Sequence, residues 1–445
     1  MQTSIYKQFW KYTIPTVAAM LVNGLYQVVD GIFIGRYVGA DGLAGINVAW
    51  PVIGSILGIG MLLGVGTGAL ASIRQGAKDN LAAKHILATG LMLLLVLTPV
   101  VSGVLYFFSE YFLIWQGAEG RVFDLGMQYL DILIGASVFT LGSIAMPFLL
   151  RNDDSPNIAT LLMVIGAVIN IALDYLMIAV WDWELTGAAL ATAIAQAVVT
   201  LLGLAYFFSN RAKLKLTVRD LRLKITVVPK IFAIGLPSFF MYAYGSVMVA
   251  LHNNLFAQYG DVLIIGAYAI LGYIITVYYL TAEGIANGMQ PLVSYNHGAN
   301  NQENISKLLK VAMTTAIVVG IAFVAVLNLF PREFVSVFNA TDTQLIENTV
   351  LGIRLHIFSL FLDGFLVVAA AYYQAVDKGS KALFVTIGNM LVQLPFLYIM
   401  PKFFGVPGIW LAFPLSNIAL SVVVIVILMR DLRRYRTHQT EQAIA

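Results

Sequence analysis

The stretch GTGALASIRQG at residues 66–76 returns in altered form as GMQPLVSYNHG at residues 288–298. Other positions agree at the same constant offset, and the pairs are Pro15 with Pro237, Gly66 with Gly288, Ser72 with Ser294, Gly76 with Gly298, and Gly166 with Gly388. A single offset kept over half of the chain indicates that the second half is a duplicate of the first. Whatever fold the first half adopts is therefore expected twice.

The composition is that of an integral membrane protein. Of the 445 residues, 60% are hydrophobic and 11% are charged, whereas a soluble domain has about 25% charged residues; the mean hydropathy is +0.84. A bilayer is an apolar solvent, so the surface of the folded chain can also be apolar.

The lack of cysteine excludes disulfides and thiolate metal sites. A net charge of +3, without a stretch rich in both basic and aromatic residues, gives no support to nucleic-acid binding.

Twelve apolar segments are each long enough to cross a bilayer as a helix, which takes about 20 residues. They lie at residues 10–37, 43–71, 84–108, 123–150, 157–180, 186–209, 228–258, 262–289, 305–330, 345–375, 381–402 and 406–430. We therefore predict an all-α membrane protein with twelve transmembrane helices in two pseudo-symmetric six-helix lobes.

The lobes and their connections follow from these segments. The prediction is an N-lobe at residues 1–209, a basic cytoplasmic linker at 210–227 that lies on membrane lipid, a C-lobe at 228–430 and a cytoplasmic tail at 431–445. Six helices per repeat give both lobes the same orientation in the membrane. Transporters built from such parallel repeats bind substrate between the lobes and alternate access by rocking them. A duplicated scaffold without transport activity would carry the same repeat.

The distribution of basic residues predicts the orientation, because cytoplasmic loops are enriched in Lys and Arg. With both termini inside, 21 of the 26 Lys and Arg residues are cytoplasmic and 4 are outside, while Arg354 lies within a span. The apolar run that follows Lys7 and Lys11 is longer than a signal peptide and predicts a retained helix. We expect a monomer in the plasma (inner) membrane, with both termini in the cytoplasm.

Three of the predicted helices carry polar side chains at one depth. Asp30 lies about seven residues from the outer end of the first helix, and Asp174 and Thr192 each lie about six residues from the outer ends of the fifth and sixth. At 1.5 Å per residue, all three are roughly 10 Å deep. Asn170 is one helical turn from Asp174. The predicted cation-coupling site is therefore Asp30, Asn170, Asp174 and Thr192.

These side chains form a set of hard oxygen ligands, which suits a proton or Na⁺ rather than a transition metal. Burial and mutual repulsion of two close carboxylates favour the protonated form of at least one of them. We therefore favour the proton as the coupling ion and keep Na⁺ at this site as its rival. No enzyme activity, no cofactor and no other metal ion are predicted.

Other polar side chains inside the spans are candidates for lining a substrate cavity. They are Asn23, Tyr26, Gln27, Gln196, Glu283 and Asp363. The first three share a helix face with Asp30, and Gln196 is one turn from Thr192. A charged side chain at the centre of a span costs roughly 2.5–3.5 kcal/mol, so Glu283 and Asp363 are functional candidates by default.

Several remaining polar groups are interpreted as structural. Arg354 is close enough to the end of its span to extend to the membrane surface. His252, His297 and His356 are interpreted as packing groups, and the pair Asp153-Asp154 as part of a solvated cytoplasmic turn beside Arg151. At the offset of the repeat, Asp30 corresponds to His252, Asn170 to Val392, Asp174 to Phe396 and Thr192, with the offset shortened by one position, to Phe413. The acid cluster is therefore expected in the N-lobe alone.

Five motifs in order along the chain resemble the multidrug and toxic compound extrusion (MATE) family, over essentially the whole length. They are VDGIFIGRYVGADGLAG at 29–45, RNDDSPNIA at 151–159, GAVINIALD at 166–174, GAALATAIAQ at 187–196 and MQPLVSYNHGA at 289–299. The aspartate of the first helix and the Asn-x-x-x-Asp of the fifth are similar to the DinF-like branch, which includes staphylococcal relatives.

The resemblance implies a function and a site. It implies export of amphipathic, often cationic, drugs or toxic compounds driven by entry of H⁺ or Na⁺, with the cation held by Asp30, Asn170, Asp174 and Thr192 and with Tyr26 beside it. The NorM-like branch uses acids of the seventh and tenth helices instead. Asp363 is the candidate match in the tenth, but the seventh offers only His252, Asn253 and Asn254. The chain also has Asp154 where relatives often have Gly.

Two alternatives remain open. A lipid-linked saccharide flippase of the same superfamily would be expected to carry more cations facing the cavity, and within the predicted spans the sequence shows only Arg354. An intramembrane enzyme such as a polyprenyl transferase would need paired acids at metal-ligand spacing, and only Asp153-Asp154 comes close.

Overall fold

The computed structural model describes residues 4–116, 118–260, 262–338 and 341–444, and within these ranges it is helical, with no β-strand. The helices of the first half are α1 (Ile5–Tyr37), α2 (Ala40–Gly76), α3 (Asn80–Trp115), α4 (Gly120–Gly135), α5 (Ser137–Asn152), α6 (Pro156–Asp174) and α7 (Glu184–Phe208). Those of the second half are α8 (Val228–Tyr259), α9 (Val262–Gly298), α10 (Gln302–Leu329), α11 (Pro331–Ser336), α12 (Thr343–His356), α13 (Leu360–Ala375), α14 (Gly379–Phe404) and α15 (Val406–Ile444).

Twelve membrane spans are present if each sharply bent pair of helices counts as one. Within the described residues, ten helices are long and apolar enough to cross a bilayer unbroken. The other two spans are α4 with α5, bent by 64°, and α12 with α13, bent by 54°. The twelve-helix prediction is confirmed, but the fourth and tenth spans, which are the fourth of each half, are broken rather than continuous.

A second irregularity interrupts the fifth span. Helix α6 ends at Asp174 and continues as a π-helical turn at Tyr175–Val180. Such turns are rare and frequently occur at functional sites. The turn also brings the backbone of Met177 against Gly187 of α7, where a Cβ would lie 3.1 Å from the Met177 carbonyl carbon.

The connection between the halves is tied to the first half. It contains two short 3₁₀ turns, Val218–Asp220 and Ile225–Val227. Lys84 at the start of α3 pairs with Asp220 at 2.8 Å, and Lys213 pairs with Asp154 at 2.5 Å. We call the end of the bundle that carries this connection the linker end; by the distribution of basic residues it is the predicted cytoplasmic end.

The halves pack against each other through α1 with α9 and α2 with α8. Glycines permit this close approach: a Cβ on Gly66 would overlap the Ile231 carbonyl oxygen, and one on Gly288 would lie 2.7 Å from Thr13 Cα. Farther from the linker end, Gly31 and Gly54 have no atom within 4 Å of where a Cβ would lie. The halves are therefore in close backbone contact at the linker end, and the positions of Gly31 and Gly54 have no such contact.

Candidate cation site in the first half

Asp30 of α1 and Asp174 of α6 lie side by side in the first half and interact directly. Asp174 is fully buried and Asn170, one turn earlier on the same helix, is 1% exposed. Asn170 Nδ2 donates to Thr192 Oγ1 of α7 at 3.2 Å. Helices α1, α6 and α7 thus bring together the four residues of the predicted cation-coupling site.

The oxygens of this site lack hydrogen-bond donors. Asp30 Oδ1, Asn170 Oδ1 and both carboxylate oxygens of Asp174 are buried and have no hydrogen-bond partner among the described residues. Because buried polar atoms in proteins are nearly always paired, such a cluster points to a site for a bound cation or a shared proton. A proton shared by the carboxyls, or a Na⁺ ion held by the oxygens, would satisfy them. The residues present fit either ion.

Two tyrosines complete the surroundings of the carboxyls. Tyr26, predicted from its position on α1, is close to Asp30 and Asp174. Tyr129 of α4 lies beside Thr192 and close to both carboxyls, and it is buried. Tyr129 was not predicted from the sequence, although its depth is comparable to that of Asp30, since it lies nine residues from Gly120 at the outer end of α4.

Three more of the predicted cavity residues lie on α1 and α7. Gln27 is exposed and lies beside Tyr26. Gln196 accepts a hydrogen bond from Thr140 Oγ1 of α5 at 2.6 Å. Asn23 is partly buried on α1, and no hydrogen bond joins it to the carboxyls within the described part of the chain. These side chains remain candidates for contact with a substrate rather than with the coupling ion.

The equivalent place in the second half is aromatic. His252 stacks on Tyr268 with ring centroids 5.0 Å apart, and His356 stacks on Phe413 at 4.8 Å. The ring nitrogens Nδ1 of His252 and His356 are bonded to the carbonyl oxygens of Met248 and Trp410. The acid cluster is thus not repeated there, as the sequence predicted.

Asp363 and Glu283 lie in other surroundings. Asp363 is 2% exposed on α13 and accepts a hydrogen bond from Asn389 Nδ2 at 3.2 Å, with Tyr279 beside it. Glu283 on α9 is near Asn287, and its charge and that of Arg151 in the first half attract each other without forming an ion pair within the described residues. Neither belongs to the cluster around Asp30.

The placement of Arg151 differs from the prediction. Arg151 was counted among the cytoplasmic cations beside a solvated turn, but its side chain is 1% exposed, with the guanidinium 4.6 Å from the Phe148 ring centroid. Arg354 is exposed. Arg151 is therefore a buried cation rather than a solvated one, because the end of α5 packs against the second half, where the neighbouring Asn152 contacts Gln290.

The pair Asp153-Asp154 forms part of a structured turn. Asp153 accepts hydrogen bonds from Tyr206 Oη and from the backbone N–H groups of Lys213 and Leu214. Burial raises the pKa of Asp153, and these donors oppose the rise. Burial also tends to raise the pKa of Asp154. The contacts of Asp154 with Lys213 and Tyr12 outweigh this effect and hold its pKa below the usual value. Both side chains anchor the linker to the first half.

Asp154 also has a backbone conformation that favours glycine, with φ at 61°. Residues with a Cβ rarely adopt this left-handed region, although Asp and Asn do so more readily than others. This conformation explains why glycine is suited to the position and why Asp is an acceptable replacement.

The MatE family model matches the chain twice, at residues 15–176 and 237–399. The chain belongs to the MATE family. The two matches begin at Pro15 and Pro237, which are the first pair of the repeat found in the sequence. The family and the many apolar helices make the chain an integral membrane protein of a family of multidrug transporters.

Among curated proteins, the chain is similar to the multidrug export protein MepA of Staphylococcus aureus. The two are 27% identical over 440 residues, which cover 97% of this chain and 95% of that protein. MepA of Staphylococcus saprophyticus is 25% identical over 432 residues, with the same coverage. Staphylococcal relatives were expected from the resemblance of the first and fifth helices.

Solved structures share the fold. A multidrug resistance MATE family transporter of the MOP superfamily, in an outward-facing conformation, superposes with a TM-score of 0.92 at 24% identity, covering 97% of each chain. A MOP superfamily transporter from Pyrococcus furiosus gives the same TM-score and identity, covering 98% of this chain and 97% of that one. The twelve-span, all-α architecture is therefore that of MATE transporters.

Proposed function

We propose that this chain is a proton-coupled antiporter that exports amphipathic, often cationic, drugs or toxic organic compounds by alternating access. It works as a monomer in the plasma membrane, with both termini in the cytoplasm, and its lobes are residues 1–209 and 228–430. The substrate class is supported by the relatives, which are multidrug export proteins.

The observation that carries the coupling site is the group of unpaired buried oxygens on Asp30, Asn170 and Asp174. Two facing carboxylates repel each other in an apolar lobe, and one proton removes both a charge and that repulsion. The pair is therefore suited to take up and release a proton, which is what a coupling site has to do. Tyr129 and Thr192 add hydroxyl groups at the edge of the pair.

The first helix offers a way to transmit the change. Helix α1 carries Pro15 in its interior, where proline removes a backbone hydrogen bond, and Gly24 packs against Leu280 of α9 in the other half. Protonation of Asp30 from the outer side allows α1 to repack and narrow the N-lobe side of the cleft, so that substrate is expelled. Release of the proton to the cytoplasm resets the cycle.

The driving force depends on stoichiometry. Exchange of one proton for one monovalent cation moves no net charge, so only the pH gradient drives it. With two protons per cycle, or with a neutral substrate, the membrane potential adds about 2.3 kcal/mol per charge at 100 mV.

The test is efflux of a fluorescent organic cation from proteoliposomes. An imposed pH gradient at equal Na⁺ on both sides is compared with an imposed Na⁺ gradient at equal pH. We expect efflux with the first and none above background with the second. Efflux that requires Na⁺ at fixed pH would reassign the coupling ion, and the absence of driven efflux under both gradients would contradict the antiporter.

A further inference from the structure

The contact between the halves at the linker end is layered. An apolar layer comes first, in which Met61, Val65 and Phe148 of the first half pack with Met241 and Tyr242 of the second. These side chains come from α2, α5 and α8. They join the two halves on the side that faces the membrane interior.

A layer of amides lies nearer the linker. Asn152 Nδ2 donates to Gln290 Oε1 at 3.0 Å, and Gln290 Nε2 donates back to Asn152 Oδ1 at 3.3 Å. Gln290 Nε2 also donates to Ser294 Oγ at 2.8 Å. This layer joins α5 to α9 by hydrogen bonds that separation of the halves would break.

Arg151 lies between the two layers. It is adjacent to Asn152 in sequence and its guanidinium lies over Phe148, yet Nε, Nη1 and Nη2 have no hydrogen-bond partner among the described residues. A guanidinium normally satisfies several of its five donors. Burial of such a charge costs several kcal/mol unless an opposite charge balances it.

The balancing charge comes from the other half. Glu283 of α9 precedes Gln290 by seven residues, so both lie on one face of the helix, and Gln290 bonds to Asn152, the neighbour of Arg151 in sequence. This register places Glu283 on the face of α9 that packs against the end of α5, and its charge interacts with that of Arg151. No direct ion pair joins the two side chains in the described residues, so the attraction acts across a gap. In an apolar interior such attraction is strong at distances where water would screen it.

We propose that Arg151 and Glu283 form a matched charge pair that controls closing of the linker end: the halves close there only when the two charges balance. Arg151 is buried and Glu283 is partly buried, so loss of one charge leaves the other uncompensated and shielded from bulk water. This favours the open arrangement, where water reaches the remaining charge. Loss of both removes the penalty and lets the end close again. The inference rests on the proposed alternating access of the halves, and neither residue belongs to the cation site around Asp30.

The experiment measures access to the linker end directly. The chain has no cysteine, so Ser72→Cys, at a position 2% exposed between the halves, provides a single reporter for a maleimide added from the linker side of oriented vesicles. Arg151→Gln and Glu283→Gln should each raise the labelling rate about tenfold or more, and the double variant should return to the parent rate. Arg74→Gln, an exposed arginine on the last turn of α2, is the matched control and should change nothing.

The outcomes separate the possible roles. Unchanged labelling in either single variant contradicts the charge pair, and fast labelling that persists in the double variant assigns both side chains to packing alone. Thermal unfolding in detergent identifies a variant that is labelled fast only because it is unfolded. If Arg151→Gln is such a variant, Arg151→Lys, which keeps the charge, must be labelled at the parent rate, or the proposal fails. Drug export is not part of the readout. A failure of export with this labelling pattern intact therefore counts against the proposed function and leaves the charge pair standing.

Discussion

Gly76 and Gly298, which are equivalent positions of the repeat, make the same close approach from opposite halves of the chain. A Cβ on Gly76 would overlap the carbonyl oxygen of Tyr295, and a Cβ on Gly298 would overlap that of Ile73. Tyr295 and Ile73 are themselves equivalent positions of the repeat. The ends of α2 and α9 therefore cross at the linker end with pseudo-twofold symmetry, and only glycine fits at either position.

This crossing predicts that Gly76→Ala and Gly298→Ala destabilise the protein to a similar extent. The added methyl group meets backbone, which cannot move without separating the helices, and overpacking of this kind costs about 1–3 kcal/mol. Thermal unfolding in detergent is the measurement. Gly103→Ala on α3, where nothing lies within 4 Å, is the control and should leave the unfolding temperature unchanged or slightly raised. Equal unfolding temperatures for all three variants would disprove the crossing.

Tyr129→Phe should weaken coupled export. The substitution keeps the ring and removes the hydroxyl group that lies beside Thr192 and the two carboxyls. A neutral hydrogen bond is worth about 1 kcal/mol, so the rate of export driven by a pH gradient should fall roughly fivefold. Tyr106→Phe, on a side chain that is 64% exposed on α3, should leave export unchanged. An equal effect of both substitutions would remove Tyr129 from the site.

Thr192→Ala distinguishes the two coupling ions. A hydroxyl ligand matters more to Na⁺ than to a carboxyl proton, so the proton account predicts that export driven by a pH gradient stays within about fivefold of the parent. Thr186→Ala, a partly buried threonine on the same helix whose hydroxyl donates to Gln128 Oε1 at 3.3 Å, is the control. Export that is abolished in Thr192→Ala, and that needs Na⁺ at fixed pH in the parent, would assign the site to Na⁺.

The predicted orientation can be tested with single cysteines at the two ends of the bundle. Ala77 and Glu119 are both exposed, at the α2–α3 turn and just before α4. An impermeant maleimide should label Glu119→Cys from outside the cell and Ala77→Cys only after access to the cytoplasm. The reverse pattern would invert the topology.

Much of the fold could be predicted from the sequence because the strongest signals are long and repeated. Twelve apolar runs and one constant offset define the spans and their order. The breaks at residues 136 and 357–359 could not be predicted, since no proline or charge marks them and the bend depends on neighbouring helices. The π-helical turn after Asp174 likewise leaves no mark in composition.

The cation site was partly predictable because charged and amide side chains stand out in apolar helices. Asp30, Asn170, Asp174 and Thr192 are costly groups in apolar helices, and depth alone aligned three of them. Tyr129 was missed because tyrosine is common in membrane helices and carries no such cost. The burial of Arg151 was missed because a count of basic residues treats every Lys or Arg near a helix end as solvated. Whether such a side chain faces water or the second half depends on how the helices pack, which the count does not include.

The central claim is that Asp30 and Asp174 couple export to the ion gradient, and the most direct measurement is substrate efflux from proteoliposomes containing Asp30→Asn under an imposed pH gradient. Asn keeps the size and hydrogen bonding of the side chain and cannot titrate. We predict that Asp30→Asn abolishes driven efflux while expression and thermal unfolding stay normal, that Asp174→Asn does nearly as much, and that Asp363→Asn, a buried aspartate outside the site, does less. Gradient-driven efflux at the parent rate from normally folded Asp30→Asn would contradict the account.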